Sequence, residues 1–277
     1  CWVIVVSQNI TDQIATETRR GLRQTPLPAH PPSFTWSLAC FARSDPCGGG
    51  DVASLLVHAR KYGIPARTCE DWSWCARSDC VSKDVPKCGC SVAGSHDVYH
   101  IKGPPIEVYI GAASSSTVAG VSVSPEQCAV LIKKYILRRG SIIANIHLYR
   151  NFLDGKFCFC NGGVYLERIH YERLVRANQE PQFSKELPAG KYQGGHAVCV
   201  VGWGTVSCIV DGVLQNVDYW LCRNSWGKTW GEDGFFKLAT HKWNRFCQIE
   251  NPVFVKVGVD EDPWRVQERV PTGGLVV

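Results

Sequence analysis

A histidine and an asparagine stand in this chain where the surrounding apolar pattern gives them no reason to be polar. His196 sits at the mouth of Ala197-Val198-Cys199-Val200-Val201, an apolar run that fits a strand covered on both faces. Asn224 stands just past Tyr219-Trp220-Leu221-Cys222, which repeats the arrangement. An imidazole and a carboxamide at neighbouring strand ends can hydrogen-bond, which fixes the ring's tautomer and orientation. The nucleophile such a pair needs lies at the other end of the chain. In Cys1-Trp2-Val3-Ile4-Val5-Val6 the β-branched residues favour a strand. Trp2, Val6, Ile10 and Ile14, however, recur at four-residue spacing and Gly21 supplies a stop, so the segment is predicted to be a buried helix. Cys1 then lies at a helix N-terminus, where the dipole favours an anion and lowers a thiol's pKa. Cysteine, histidine and asparagine in that order are the parts of a thiolate-imidazolium nucleophile, in which sulfur attacks a carbonyl and the imidazole protonates the departing amine. Taken singly, His196 reads as a core histidine and Asn224 as a turn residue; the order and the flanking runs favour chemistry.

The elements that must carry these residues follow along the chain. Prolines from Thr25 to Pro32 break regularity before Cys40 and Cys47-Gly48-Gly49-Gly50-Asp51, where consecutive glycines let another backbone approach. Val52, Leu55, Leu56 and Ala59 give an amphipathic helix ending near Gly63-Ile64-Pro65. Cys69, Cys75, Cys80, Cys88 and Cys90 predict a loop-rich, cross-linked excursion over residues 66–100. Residues 111–123, rich in Ser, Ala and Gly, read as a crossing between lobes. Ser124-Pro125-Glu126-Gln127 is a capping-box start for a helix whose stripe is Cys128, Leu131, Ile132, Tyr135 and Ile136, stopped by Gly140. Strands are predicted at 142–148, 162–166 and 234–239, a hairpin turns at Asp211-Gly212, and the polar stretch from Glu167 to Gln193 reads as an insertion. Helices first and strands afterwards predict an α+β chain of two lobes.

At 277 residues the chain can bury a large core, and 45% hydrophobic with 20% charged residues describe a globular protein. The net charge of +5 is spread out, so no basic run points to nucleic acid, and no apolar run nears the roughly 20 residues that span a bilayer. No charged leader opens the chain and Met is absent, so a soluble protein, already processed or incomplete, is expected. Fifteen cysteines suggest a disulfide framework made in an oxidising compartment; the odd number leaves at least one thiol free or bonded elsewhere. Asn9-Ile10-Thr11 matches a glycosylation sequon, expected to be unused inside a packed helix.

Cys1-Trp2, Gly195-His196-Ala197, Gly202-Trp203-Gly204, Asn224-Ser225-Trp226-Gly227 and Trp230-Gly231-Glu232-Asp233-Gly234 together resemble the papain family of cysteine peptidases. The likeness extends with gaps to about Val257. It implies a two-lobed fold, a helical lobe over 1–120, an antiparallel barrel-like lobe over 121–257 with the cleft between them, and a tail over 258–277. It assigns Cys1 as nucleophile, His196 as acid/base, Asn224 as the residue orienting the imidazole and Trp226 as a lid over their hydrogen bond. Gly49 and Gly50 would pair with the substrate backbone. Metal and organic cofactors are not expected. Implied partners are peptide or protein substrates, a propeptide and cystatin-like inhibitors, with no nucleic acid or membrane, and the implied site is a lysosome, an acidic vacuole or the secreted medium. Gly63-Ile64-Pro65 and Lys87-Cys88-Gly89-Cys90 are similar to cathepsin X, and Gly234-Phe235-Phe236-Lys237 to cathepsin B, which implies carboxypeptidase action; the His-His pair of an occluding loop is missing, and His96 and His100 could substitute for it, although exposed loop histidines are the preferred reading.

Two departures stand against the family pattern. The family's cysteine and histidine are usually separated by about 130 to 150 residues, whereas 195 positions separate Cys1 from His196. The family's oxyanion glutamine falls before the nucleophile, so it and the partner of Cys47 are expected upstream of residue 1. Loss of one such donor costs about 100- to 1,000-fold in rate. With Cys1 free and Cys47 paired upstream, one more cysteine is left over, Cys199 or Cys247. The competing functions are an inactive binding protein on the same fold and an N-terminal-nucleophile amidohydrolase using the amine of Cys1. Zinc binding by Cys88-Gly89-Cys90 with Cys158-Phe159-Cys160 has no zinc-like spacing, and disulfides are the preferred reading.

Overall fold

The computed structural model describes residues 1–21, 29–41, 49–69, 88–90, 95–101, 106–108, 116–118, 121–168, 190–245, 247, 249–250, 254–256 and 264–271. In chain order these hold α1 (Trp2–Arg19), α2 (Phe34–Phe41), α3 (Val52–Lys61), β1 (Ile64–Pro65), β2 (Ser95–Ile101), β3 (Ile106–Val108), β4 (Ser116–Val118) and β5 (Val121–Val123). There follow α4 (Pro125–Arg139), β6 (Ile142–Tyr149), α5 (Arg150–Leu153), β7 (Val164–Tyr165), β8 (Tyr192–Val210), β9 (Val213–Arg223), β10 (Phe235–Ala239), β11 (Phe254–Lys256) and β12 (Trp264–Pro271). The chain divides into a first unit, 1–107 with 255–277, and a second, 108–254.

In the first unit α1 is the buried helix that the four-residue spacing predicts. Trp2, Val3, Val5, Val6, Ile10 and Ile14 are buried, and Gly21 adopts the left-handed conformation just past its end. Asn9 is fully buried and accepts from Gln13 Nε2 at 3.0 Å, so the sequon's asparagine is closed to a glycan. Ser33 caps the short α2, its Oγ accepting from Trp36 N at 3.0 Å. No periodicity announced that helix; the serine after Pro31-Pro32 was its signal. Asp51 caps α3 through Ser54 N, and Val52, Leu55, Leu56 and Ala59 form its buried stripe. Disulfides Cys40–Cys88 and Cys69–Cys90 tie α2 and the segment after β1 to residues 88–90. The rest of the cysteine-rich excursion, 70–87 and 91–94, lies outside the described residues. β2 pairs antiparallel with β1 and with β12, so the expected tail contributes a strand at 264–271.

The second unit is built on β6-β8-β9-β10-β7, antiparallel except that β7 joins β10 in parallel. Its strands form an open sheet rather than a closed barrel among the described residues. Ser124 and Gln127 complete the capping box of α4, and Gly140 takes φ 87° at its end. β8 and β9 form the hairpin marked by Asp211-Gly212, both at positive φ as a primed turn requires. The pairing extends beyond the predicted six residues, from Val210↔Val213 to Cys199↔Arg223, with a register shift between Val200 and Gly202. The strand predicted at 162–166 shrinks to two residues, since Gly162 and Gly163 take positive φ in a turn. Of the crossing expected at 111–123, β4 and β5 form a small antiparallel hairpin and the remainder is not described. The polar insertion begins later than expected. Glu167 is fully buried, its carboxylate accepting from Arg245 N at 2.6 Å and Cys247 N at 2.7 Å. Residues 169–189 lie outside the described set.

Candidate active site

His196 reaches its position because β8 enters the sheet between β6 and β9, with Ile146 directly opposite. Asn224 directly follows β9, where its N–H donates to Gly234 O at 2.8 Å. These two polar residues, 28 apart in sequence, meet at 2.8 Å between His196 Nε2 and Asn224 Oδ1, and both are buried. The roles in that bond follow from a second one. Asn224 Oδ1 also accepts from Ser225 N at 2.7 Å, so the atom facing the ring is the oxygen. Oxygen only accepts, so Nε2 carries the hydrogen, and the neutral ring presents Nδ1 as a lone pair. Burial pushes His196 down to about 4, opposed by the hydrogen bond to Asn224.

The amide nitrogen of Asn224 is buried with no partner among the described residues. An unsatisfied donor of this kind costs about 1 to 3 kcal/mol.

Trp226 lies against the imidazole, ring centroids 4.8 Å apart. Its own backing was not foreseen. Phe152 of α5 and Trp230 meet Trp226 edge-on at 5.8 and 5.0 Å, and Trp230 Nε1 donates to Leu153 O at 2.8 Å. Such edge-to-face contacts are each worth about 0.5 to 1.5 kcal/mol beyond burial. Phe152 carried no motif in the sequence; its only sign was an apolar residue three places past β6.

In the first unit Cys1 precedes α1 as its N-cap and is exposed, its carbonyl accepting from Val5 N at 3.1 Å. Gly49 has φ 125°, with nothing near the place of a side chain. At Gly50 a Cβ would lie 2.4 Å from the ring of Trp2, so that glycine makes room for the indole that follows Cys1. Cys47 and Gly48 lie outside the described residues.

Other described thiols are poor nucleophiles. Burial pushes Cys128 and Cys158 up to about 12 and Cys208 up to about 11. It also raises Cys160, Cys222 and Cys247. A protonated thiol neither attacks nor binds metal. Cys88 and Cys90 are in disulfides while Cys158 and Cys160 are free thiols, and no group of three metal ligands occurs among the described residues. Cys247 is a free buried thiol, but so are Cys128, Cys208 and Cys222, so the expectation of a single leftover cysteine fails.

The buried imidazole, its tautomer fixed by a carboxamide and its face covered by an indole, is set on an α+β fold. The chain belongs to the papain family of cysteine proteases, whose model matches residues 1–257. It is 32% identical over 92% of its length to a probable cysteine proteinase of Invertebrate iridescent virus 3, covering 52% of that protein. It is 26% identical over 91% of its length to the gut-specific cysteine proteinase of Caenorhabditis elegans, covering 64% of it. The chain thus spans about half the length of the viral relatives it matches. Procathepsin B S9 from Trypanosoma congolense shares the fold, with TM-score 0.56, 19% identity, and coverage of 93% of this chain and 68% of that one.

Proposed function

We propose that this chain is the catalytic part of a cysteine peptidase that hydrolyses peptide bonds, with Cys1 as nucleophile, His196 as acid/base and Asn224 as the residue that orients the ring. The observation that supports it is the His196 Nε2 to Asn224 Oδ1 bond, which leaves Nδ1 as the atom able to exchange a proton with a thiol. Family membership supports the same chemistry.

Burial favours a neutral His196, so an imidazolium requires a compensating negative charge. In the proposed pair the Cys1 thiolate supplies it, helped by the partial positive charge of the α1 N-terminus. Attack of sulfur on the carbonyl carbon forms a thioester as the C–N bond breaks, and the imidazolium proton passes to the departing amine. Water, deprotonated by the imidazole, then releases the acid and restores the thiol. Trp226 shields the His196–Asn224 bond from water, and Gly49 and Gly50 offer backbone groups to the substrate.

The test is stoichiometric labelling by an epoxide inactivator, on protein that includes the segment preceding residue 1. Labelling at Cys1, blocked in Cys1→Ala together with all peptidase activity, is expected. Activity retained in Cys1→Ala would falsify the assignment. The finer reading, removal of residues from peptide C-termini, rests on likeness to cathepsins X and B. His96 and His100 lie on β2 rather than on an occluding loop, so they do not support it. Equal turnover of a peptide with a free C-terminal carboxylate and of its amide would sink it. The likeness to cathepsins also supports an acidic vesicle or secretion as the place of action and a propeptide as regulator. No described helix is long and apolar enough to cross a membrane.

A further inference from the structure

The second unit carries a recess of about 490 Å³, within the range of small-molecule sites, between α4 and the strands β8 and β9. Trp203, which lines it, is seven residues beyond His196 on β8, about 23 Å along the strand at 3.3 Å per residue. The floor is aromatic. Trp203 and Trp220 are directly paired across the two strands, as are Gly204 and Tyr219. A Cβ on Gly204 would lie 2.6 Å from the Tyr219 hydroxyl, so the glycine lets that ring fold across the neighbouring strand.

The charges around the floor are matched, with one exception. Glu126 meets His241 Nε2 at 3.0 Å, and the buried Glu250 meets His241 Nδ1 at 3.3 Å while accepting from Trp220 Nε1 at 2.8 Å. Asp218 accepts from Thr205 at 2.8 Å and pairs with Lys242 at 3.3 Å. Lys133 alone of these charged groups has no carboxylate within ion-pair distance among the described residues. Its ammonium stands over the rings of Trp203 and Trp220, at 5.6 and 6.0 Å from their centroids. Asp218 feels it only as a weak, more distant charge.

We propose that this recess is a second binding site, for a carboxylate attached to an aromatic ring, either a free acid or the C-terminal residue of a peptide. The carboxylate pairs with Lys133 and the ring lies on the half-buried indole of Trp203. A neutral ligand leaves the cation unmatched, and a cationic one is repelled by it. A bare inorganic anion leaves the indole floor uncovered. The site involves neither Cys1 nor His196, so it stands or falls apart from the peptidase reading.

Calorimetric titration of the full Cys1→Ala chain with N-acetyl-phenylalanine, its amide and the tripeptide Ala-Ala-Phe tests it. The two acids are expected to bind at least about tenfold more tightly than the amide, as a charge-assisted pair requires. Lys133→Gln removes that preference and Lys133→Arg restores it. Lys133 is half-buried, and an unchanged thermal midpoint in Lys133→Gln establishes that the fold is intact. Tighter binding of the tripeptide than of the single acid identifies a peptide terminus as the occupant, and equal binding a free acid. Acid and amide binding alike, Lys133→Gln binding like the parent, or His196→Ala abolishing the binding each overturns the proposal.

Discussion

At the scale of single residues the proposed chemistry turns on one carboxamide oxygen. Asn224 Oδ1 accepts from both His196 and Ser225 N, so Asn224→Ala removes the orienting bond without filling its place. A hydrogen bond to a charged group is worth about 1.5 to 3 kcal/mol, which corresponds to about a 10- to 150-fold loss in kcat/KM. Steady-state kinetics on a fluorogenic peptide measure it, and an unchanged rate would remove Asn224 from the mechanism. The pKa of His196 offers a sharper check. Burial pushes the ring down to about 4; the proposed ion pair with Cys1 would raise it above the ordinary histidine value, and Cys1→Ala would remove that rise. The sign is fixed by charge: a neighbouring thiolate favours imidazolium, burial opposes it. Proton NMR of the imidazole distinguishes the two, and the same low value in both proteins would show that no ion pair forms. Gly50 is the third single-residue case. A methyl group there collides with Trp2, so Gly50→Ala is expected to cost about 1 to 3 kcal/mol as overpacking and to slow epoxide labelling of Cys1 by displacing its neighbour.

Among the elements, α4 is fastened to the end of its unit by His241, which faces a carboxylate on each ring nitrogen. Nε2 is hydrogen-bonded to Glu126 and Nδ1 lies 3.3 Å from Glu250, and two neighbouring carboxylates favour the imidazolium. Its pKa is raised, chiefly by the hydrogen bond to Glu250, while Glu126 is held down to about 2 by backbone and Ser124 hydrogen bonds. A raised histidine stabilises fully below its unfolded value near 6.5 and loses that contribution as pH climbs through the folded value. In Cys1→Ala, where burial alone dominates, His196 acts in the opposite sense: folding resists its protonation between about 6.5 and about 4, so in that variant the residue costs stability as pH falls. The difference in thermal midpoint between the parent and His241→Gln isolates the first effect. It is expected to be larger near about pH 5 than near about pH 9, and a pH-independent difference would mean that the clasp contributes no charge. Glu167 is the other fastening. It satisfies two backbone N–H groups and its own N–H donates to Asn244 Oδ1 at 2.9 Å, so the sequence's impression of a solvated charged run fails at its first residue.

For the whole molecule, the cysteines separate by unit. Both disulfides among the described residues fall in the first unit, with sequence separations of 48 and 21. Chain-entropy arguments give loops of such length about 3 to 4 kcal/mol each. The second unit keeps Cys128, Cys158, Cys160, Cys208, Cys222 and Cys247 as free thiols and is held by its sheet and core. Reduction is therefore expected to lower hydrogen-exchange protection across α2 and the β1 region while leaving β6, β8 and β9 unchanged. Equal loss in both units would contradict this division. An oxidising compartment, read from fifteen cysteines, is thus supported by part of the cysteine set only.

What the sequence determined by itself was local. The four-residue spacing after Cys1, the Ser124 capping box, the Asp211-Gly212 turn and the apolar runs before His196 and Asn224 each depend on neighbours a few positions away, and helix or strand geometry converts that spacing directly into form. The family motifs were legible for the same reason, since glycines and tryptophans at fixed offsets mark the backbone of the site. Tertiary structure decided what depends on distance across the fold. It set the oxygen of Asn224 rather than its nitrogen against His196, placed Phe152 and Trp230 behind Trp226, buried Glu167, and returned 264–271 to pair with β2. It also left Lys133 above two indoles with no ion-paired carboxylate among the described residues. No spacing in the chain announces these, because each joins residues brought together only when burial and hydrogen-bond satisfaction are settled for the whole unit at once.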